Sequence, residues 1–67
     1  MRRFDLSRQE RQALEYLSLG FTVGAAAKQM GKSPETVSTQ VAFACRKLNA
    51  RNRTQAVAKA LRQGLIV

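Results

Sequence analysis

The stretch KSPETVSTQVAFACRKL, residues 32–48, carries the signals of a helix with one buried side and one open side. Ser33 is a residue type that caps free backbone N–H groups, Pro34 suits the first helical position, and Glu35 complements the helix dipole. Apolar residues recur at i, i+4, i+7 and i+11, which predicts a buried stripe: Val37, Val41, Ala44 and Leu48. The opposite side carries Thr39, Ala42, Phe43 and Arg46, with Ser38 on its flank. We therefore expect a helix over residues 34–48 whose outward side is free to meet a ligand.

Capping signals predict two more helices ahead of this stretch. Ser7 followed at three residues by Glu10 is a capping-box pattern, and the helix that it opens is expected over about residues 7–19. Thr22 is the next capping residue, and it predicts a short helix over residues 23–30. Glycines at positions 20 and 31 are expected to end these two helices.

A fourth helix is predicted over residues 53–63, because Asn52 followed at three residues by Gln55 offers a second capping box. Helices two and three, joined by a tight turn at Gly31 and Lys32, then form a helix-turn-helix. The expected fold class is all-α, with one four-helix domain over residues 1–67. Phe4 and Leu6 are expected to anchor onto the core ahead of helix one, in which Ala13, Leu14, Tyr16 and Leu17 recur at helical spacing. The apolar side of helix four is expected to hold Ala56, Val57, Ala60 and Leu61, with Leu65 and Ile66 folded back beneath it.

The charge balance points to a polyanionic partner. Twelve Lys and Arg residues against four Asp and Glu residues give a net charge of +8 on 67 residues. So small a body then carries a positive potential over most of its surface, which attracts nucleic acid. A solvated basic surface without a dedicated partner is the alternative.

Composition also excludes several classes of protein. One cysteine and no histidine leave no disulfide within the chain and no pattern for a metal site, a cofactor or a catalytic centre, so an enzyme is not expected. Cys45 is interpreted as a small buried apolar side chain, with a reactive thiol as the alternative. No apolar run approaches the ~20 residues that span a bilayer, and the N-terminus lacks a secretory signal. A soluble cytoplasmic protein associated with the nucleoid is therefore expected.

Three segments carry a family resemblance: LSRQERQALEYLSLGFT (6–22), AAAKQMGKSPETVSTQ (25–40) and RKLNARNRTQAVAKALRQGLI (46–66). Together they resemble the LuxR-type, or GerE-type, DNA-binding domain over residues 6–66. The endings NRTQAV and GLI are similar in particular to the C-terminal halves of quorum-sensing LuxR regulators. The matching positions are Leu6, Glu10, Leu14, Leu17, Gly20, Thr22, Ala27, Ser33, Thr36, Val37, Lys47, Leu48, Arg53, Ala56, Val57, Gly64 and Leu65.

The resemblance implies a helix-turn-helix transcription regulator whose third helix enters the major groove of DNA. Double-stranded DNA is then the expected partner, joined by a second copy or a related regulator, since the fourth helix of such domains often makes a dimer contact. The chain departs from the family at Ser38, Gln40 and Ala42, where Lys, His and a polar or basic residue are usual. Ala25 and Lys32 stand where the family has an acidic and an aliphatic residue.

Helix three offers few side chains for direct base recognition. Gln40 and Arg46 are of the types that form bidentate hydrogen bonds with adenine and guanine. Ala42 or Phe43 can rest against a thymine methyl group, although Phe43 equally suits the edge of the core. Specificity is therefore expected to be modest and to depend on methyl contacts and DNA shape.

Contacts with the phosphate backbone are better supplied. Thr22 and Thr36 lie near helix N-termini, which favour anions. Ser38 and Thr39 can bond to a base or a phosphate with little selectivity. The basic residues expected to flank the groove are Arg46, Lys47, Arg51 and Arg53, and those expected at a dimer contact on helix four are Val57, Ala58 and Leu61.

Two other functions remain open from the sequence. The departures on helix three, together with Phe43, suit a module that binds or heterodimerises with another regulator as an antagonist. Region four of a sigma factor shares LSRQE and RKL and would add RNA polymerase as a partner. The tail RTQAV…GLI argues against this last interpretation.

Overall fold

Four α-helices follow one another in the computed structural model, which describes residues 6–67 of the chain. They are α1 (Arg8–Ser18), α2 (Val23–Met30), α3 (Pro34–Leu48) and α4 (Arg53–Arg62). The described residues contain no strand, so the predicted all-α fold is confirmed. The observed helix ends differ from the predicted ones by one residue at most. The predicted core anchor Phe4 lies outside the described residues.

Each helix begins at a side-chain cap of the predicted kind. A side-chain oxygen accepts a hydrogen bond from the backbone N–H three residues later, which satisfies one of the free donors of a helix N-terminus. The four caps are Ser7, Thr22, Ser33 and Asn52, with distances of 3.1, 3.1, 3.2 and 2.8 Å.

The predicted second capping box differs from the one observed. The Asn52 side chain accepts from the N–H of Gln55 as expected, at 2.8 Å. In a capping box the Gln55 side chain would accept from the N–H of Asn52. Here the Gln55 Oε1 instead accepts from the N–H of Arg51, the preceding residue, at 2.7 Å. The prediction of a return bond to Asn52 is therefore wrong, and the bond instead ties the α3–α4 loop to the first turn of α4.

The turn between α2 and α3 is set by Gly31, whose φ of 67° lies in the left-handed region. Its N–H donates to the Lys28 carbonyl at 3.3 Å, and the N–H of Lys32 donates to the Ala27 carbonyl at 2.9 Å. These two bonds form a Schellman motif, which closes α2 just before Ser33 opens α3. The short connection makes α2 and α3 a helix-turn-helix pair.

The buried stripe of α3 holds that helix against the other three. Val37 and Val41 pack with alanines of α1 and α2, and Ala44 and Leu48 pack with residues of α1 and α4. All four stripe residues are buried, as predicted from their spacing. Since support extends over both halves of α3, its orientation is fixed along its length.

The apolar side of α4 divides into buried alanines and an exposed leucine. Ala56 and Ala60 are buried on α4, whereas Leu61 is 45% exposed. After α4 the chain turns back at Gly64, and Ile66 joins the core cluster that contains Leu6. Ile66 is only 3% exposed and lies in the same core cluster as Ala56 and Ala60, so the C-terminal segment folds back against α4 as predicted.

An ion pair with a buried carboxylate joins the N-terminus of α1 to the C-terminal half of α3. Glu10 is 6% exposed, and its Oε1 accepts from Lys47 Nζ at 2.8 Å and from the Ser7 N–H at 2.9 Å. Burial raises the pKa of Glu10, but hydrogen bonds from Lys47 and Ser7 and the Lys47 charge outweigh it and hold that pKa below 4.5. One carboxylate thus serves both the α1 cap and the contact between α1 and α3.

Glu10→Gln tests this pair. The folded-state pKa lies below the unfolded one, so the stabilisation by Glu10 is complete above pH 4.5 and is lost as pH falls through the folded pKa. Lys47 remains partly in solvent, so we expect a loss of about 1–2 kcal/mol at neutral pH, less than for fully buried pairs. The variant should also show a shallower loss of stability in acid.

Urea denaturation between about pH 3 and pH 7 measures both effects. Glu35→Gln is the matched control, since it removes the same charge from an exposed position on α3. Neutral-pH stability of Glu10→Gln equal to that of the unaltered chain would contradict a structural role for the pair.

Candidate nucleic-acid interface

The outer face of α3, defined as Thr39, Ala42, Phe43 and Arg46, is exposed as the sequence predicts. These positions follow i, i+3, i+4 and i+7 and lie within about 100° of the helix circumference. Phe43 is 46% exposed, so its ring is not part of the core. Exposed Ser38 lies on one flank of this face, and Glu35 continues it toward the helix N-terminus.

Polar groups of the outer face make contacts within α3. The Thr39 hydroxyl donates to the Glu35 carbonyl at 3.0 Å, so its proton is already used. The Arg46 guanidinium lies 5.7 Å from the centroid of the Phe43 ring, within the range of a cation–π contact. The face therefore presents an aromatic ring and a methyl group beside a single guanidinium.

Gln40 is separated from the outer face. Its Nε2 donates to Gln9 Oε1 on α1 at 3.3 Å, and its own Oε1 is buried without a hydrogen-bond partner among the described residues. The side chain is half-buried between α1 and α3. In this arrangement its amide is directed to α1.

Thr22 and Thr36 both keep a hydroxyl proton that can be donated to an anion. Thr22 Oγ1 accepts from the N–H of Ala25 at 3.1 Å, and Thr36 Oγ1 accepts from Ser33 Oγ at 2.9 Å. A hydroxyl that accepts in this way still has its own proton to give. Both residues are exposed in the first turns of α2 and α3, where the helix dipole favours negative charge.

The predicted basic residues differ in how free their charges are. Arg46 and Arg51 are exposed near the C-terminal end of α3. Arg53 is exposed too, but it lines a shallow groove between α1 and α4 together with Leu17 and Val57. The Lys47 ammonium group is paired with Glu10, so its charge contributes less to the external field than its position suggests.

Lys59 on α4 caps the C-terminus of α3, a contact that the sequence analysis missed. Its Nζ donates to the carbonyls of Leu48 at 3.1 Å and Asn49 at 2.8 Å. Asn49 has a φ of 55° and ends α3 in the left-handed conformation. A cation at this end of a helix satisfies free carbonyls and complements the dipole. The cap joins residues ten and eleven positions apart, so neither periodicity nor local capping rules indicate it.

Cys45 lies at the edge of the stripe and packs against both core clusters, half-buried. Burial raises the pKa of its thiol above 9.0, although the nearby charge of Arg53 opposes the shift. The thiol is therefore protonated at neutral pH, which favours the interpretation as a small apolar side chain over a reactive one.

The candidate dimer residues on α4 form a partly apolar surface. Val57 and Ala58 are half-buried, and Leu61, one turn after Val57, is exposed. Val57 borders the groove between α1 and α4, so the surface is continuous with that groove.

Two further features are absent among residues 6–67. No group of three or more acidic, cysteine or histidine side chains is placed to hold a metal ion there. Within the same part of the chain, none of the helices has the length and apolar character needed to cross a bilayer.

Comparisons with known proteins give a matching family model and matching solved structures. Residues 5–60 match the family model GerE, described as "Bacterial regulatory proteins, luxR family". A solved chain described as "Structure of Transcription factor, GerE" aligns with a TM-score of 0.88 and 26% identity, covering 92% of each chain. No curated protein matches the sequence.

Lys59→Met tests the cap on α3. Removal of the ammonium group leaves the carbonyls of Leu48 and Asn49 without this donor, so we expect the free energy of unfolding to fall by about 1 kcal/mol. Chemical denaturation followed by circular dichroism measures it. Arg62→Met is the matched control: it removes one charge from an exposed site on the same helix and should change stability by about 0.5 kcal/mol or less. Equal effects of the two substitutions would refute the cap.

Proposed function

The chain belongs to the luxR family of bacterial regulatory proteins, and from that membership we propose that it is a DNA-binding transcription regulator with α3 in the major groove. The observation that carries the proposal is the two-sided character of α3. One side is held by the core over both halves of the helix, and the opposite side is exposed from Thr39 to Arg46. Because α3 is already held in place by the core, its entry into a groove needs no folding or rearrangement of the helix.

The dimensions of α3 suit the major groove. The helix has 15 residues and is about 22 Å long. The major groove of B-DNA is about 12 Å wide and admits an α-helix, whereas the minor groove is too narrow for one. Thr36 and Glu35 then enter first, and Arg46 follows toward the C-terminal end.

Phosphate contacts account for most of the proposed affinity. The hydroxyl protons of Thr22 and Thr36 and the guanidinium groups of Arg46, Arg51 and Arg53 are the donors. With a net charge of +8, the chain releases counterions when it neutralises phosphates, so its affinity must fall steeply as salt rises. Titration of pooled duplex DNA at several salt concentrations tests this directly. Absence of binding at low salt would overturn the proposal and favour the antagonist module, which binds another regulator instead.

We further propose an oligomeric state and a cellular location for this domain. A single domain over residues 1–67 acts on the bacterial chromosome in the cytoplasm, as a homodimer or with a related regulator. Val57, Ala58 and Leu61 form the contact between protomers. A symmetric dimer of this kind places two recognition helices on half-sites about 34–36 Å apart. Quorum sensing and a contact with RNA polymerase stay predictions from the sequence.

Arg46→Ala distinguishes phosphate binding from base reading. If the guanidinium group binds a phosphate, affinity should fall by a similar factor on all sequences and the salt slope should drop by about 0.9. Fluorescence anisotropy across a set of duplexes measures both quantities. Arg62→Ala is the matched control, because it removes the same charge from an exposed residue of α4 that is not among the proposed DNA contacts. An effect confined to one base position would make Arg46 a base reader instead.

Leu61→Glu tests the α4 contact. A carboxylate buried between two copies lacks a partner, so the substitution should convert dimers to monomers at concentrations where the unaltered chain associates. Sedimentation equilibrium measures the change. Leu19→Glu is the matched control, since Leu19, just after α1, is an exposed leucine at 72% exposure. An unchanged sedimentation profile for Leu61→Glu would exclude α4 from the interface.

A further inference from the structure

We propose that the outer face of α3 recognises the C5-methyl group of pyrimidines in the major groove, with the Phe43 ring as the main contact and the Ala42 methyl group beside it. The inference rests on the proposed DNA binding and names the chemical group that the face selects. The C5-methyl group occurs on thymine and, after modification, on cytosine. Both sources present the same apolar contact.

Two hydrogen-bonding side chains on or beside this face, Thr39 and Gln40, are already engaged within the protein. The Thr39 hydroxyl gives its proton to the Glu35 carbonyl at 3.0 Å, which leaves only an acceptor for a base. Gln40, the residue type suited to adenine, donates to Gln9 on α1 at 3.3 Å and has its Oε1 buried. The other exposed groups of the face are the Ala42 methyl group and the Phe43 ring, with the Arg46 guanidinium one turn further along.

The base pairs present an apolar group in the major groove that such a face can contact. Among the groups that bases present in the major groove, the thymine methyl is apolar, and alanine and phenylalanine are residue types that contact it. Phe43 is 46% exposed, so nearly half of its surface is available for burial against such a group. Transfer of a methyl group from water into an apolar contact is favourable in proportion to the buried area.

The Phe43 ring is positioned by Arg46. The Arg46 guanidinium lies 5.7 Å from the centroid of the Phe43 ring, one helical turn away. This cation–π contact restricts the Phe43 ring. It also places the Arg46 charge beside the ring, where the DNA phosphates at the edge of the groove attract that charge. Arg46 thereby acts as a positioning residue for Phe43 as well as a phosphate ligand.

The test compares duplexes that differ by methyl groups alone. A site selected from random duplex DNA is resynthesised with deoxyuridine in place of thymidine, which keeps every hydrogen-bonding group of the base. We expect the affinity of the unaltered chain to fall about fourfold for each contacted thymine. Phe43→Ala should weaken binding to the thymine form and bind both forms with nearly equal affinity. Phe43→Leu, which keeps an apolar side chain, should give an intermediate ratio.

A second arm separates the methyl group from the rest of thymine. Replacement of a contacted thymine by cytosine should weaken binding, and 5-methylcytosine at that position should bind about fourfold more tightly than cytosine. Phe43→Ala should lose this gain. No gain with 5-methylcytosine would overturn the claim that the methyl group itself is read.

Leu19→Ala is the control variant, because it removes an exposed leucine outside α3 and should keep the ratio between the thymine and uracil forms. Circular dichroism checks that each variant is folded. Equal affinity of the unaltered chain for the two forms would overturn the inference and leave the proposed function standing. Failure to bind any duplex at low salt would overturn the proposed function itself. A thymine preference that persists in Phe43→Ala would remove Phe43 from the contact.

Discussion

The burial of one side of α3 against three helices is the constraint on which the rest of the structure depends. The core is built largely from small side chains, and these alanines are at most 1% exposed: Ala13, Ala26, Ala27, Ala44, Ala56 and Ala60. Alanine lets helices approach closely, so α1, α2 and α4 together enclose the stripe that begins at Val37. Leu14 and Val37 are the largest side chains that are fully buried in the described residues. A core of this size supplies only a few kcal/mol, about 3–5 in chains of this length, so polar links between helices matter.

Those polar links use charges that would otherwise face solvent. Glu10 and Lys47 connect α1 with α3, and Lys59 connects α4 with the end of α3. Both links hold α3 at points beyond its apolar stripe. The remaining exposed basic residues have few acidic neighbours, since the whole chain has four Asp and Glu residues. Their mutual repulsion disfavours the compact state, and a polyanion relieves it. Binding and stability are therefore expected to be coupled, with DNA raising the stability of the fold.

Features set by neighbouring residues were predictable from the sequence, and those set by distant contacts were not. Caps such as Ser7 and Ser33 act within three residues, so the starts of helices could be located closely. The buried stripe of α3 followed from its spacing. The contact of Lys59 with the end of α3 and the pair of Glu10 with Lys47 join residues 10 to 37 positions apart, which periodicity within one helix does not record.

In the candidate site too, features set within one helix were predictable and features set by contacts between helices were not. The outward direction of Thr39, Ala42, Phe43 and Arg46 follows from helical geometry and was predicted. Whether a polar side chain on or beside that face is free depends on α1: Gln9 engages Gln40, and Glu10 engages Lys47. Residue type alone suggests that Gln40 reads a base and that Lys47 binds a phosphate. The structure assigns both side chains contacts between α1 and α3.

The most direct test of the account is a map of amide chemical shifts as duplex DNA is added to the isotopically labelled chain. Since α3 is held by the core and its outer face is open, the largest changes should lie at Thr39, Ala42, Phe43 and Arg46, with others at the first turn of α2. Amides of the buried stripe should change less. Changes confined to α4, or none at all at low salt, would contradict the claim that α3 is the surface presented to DNA.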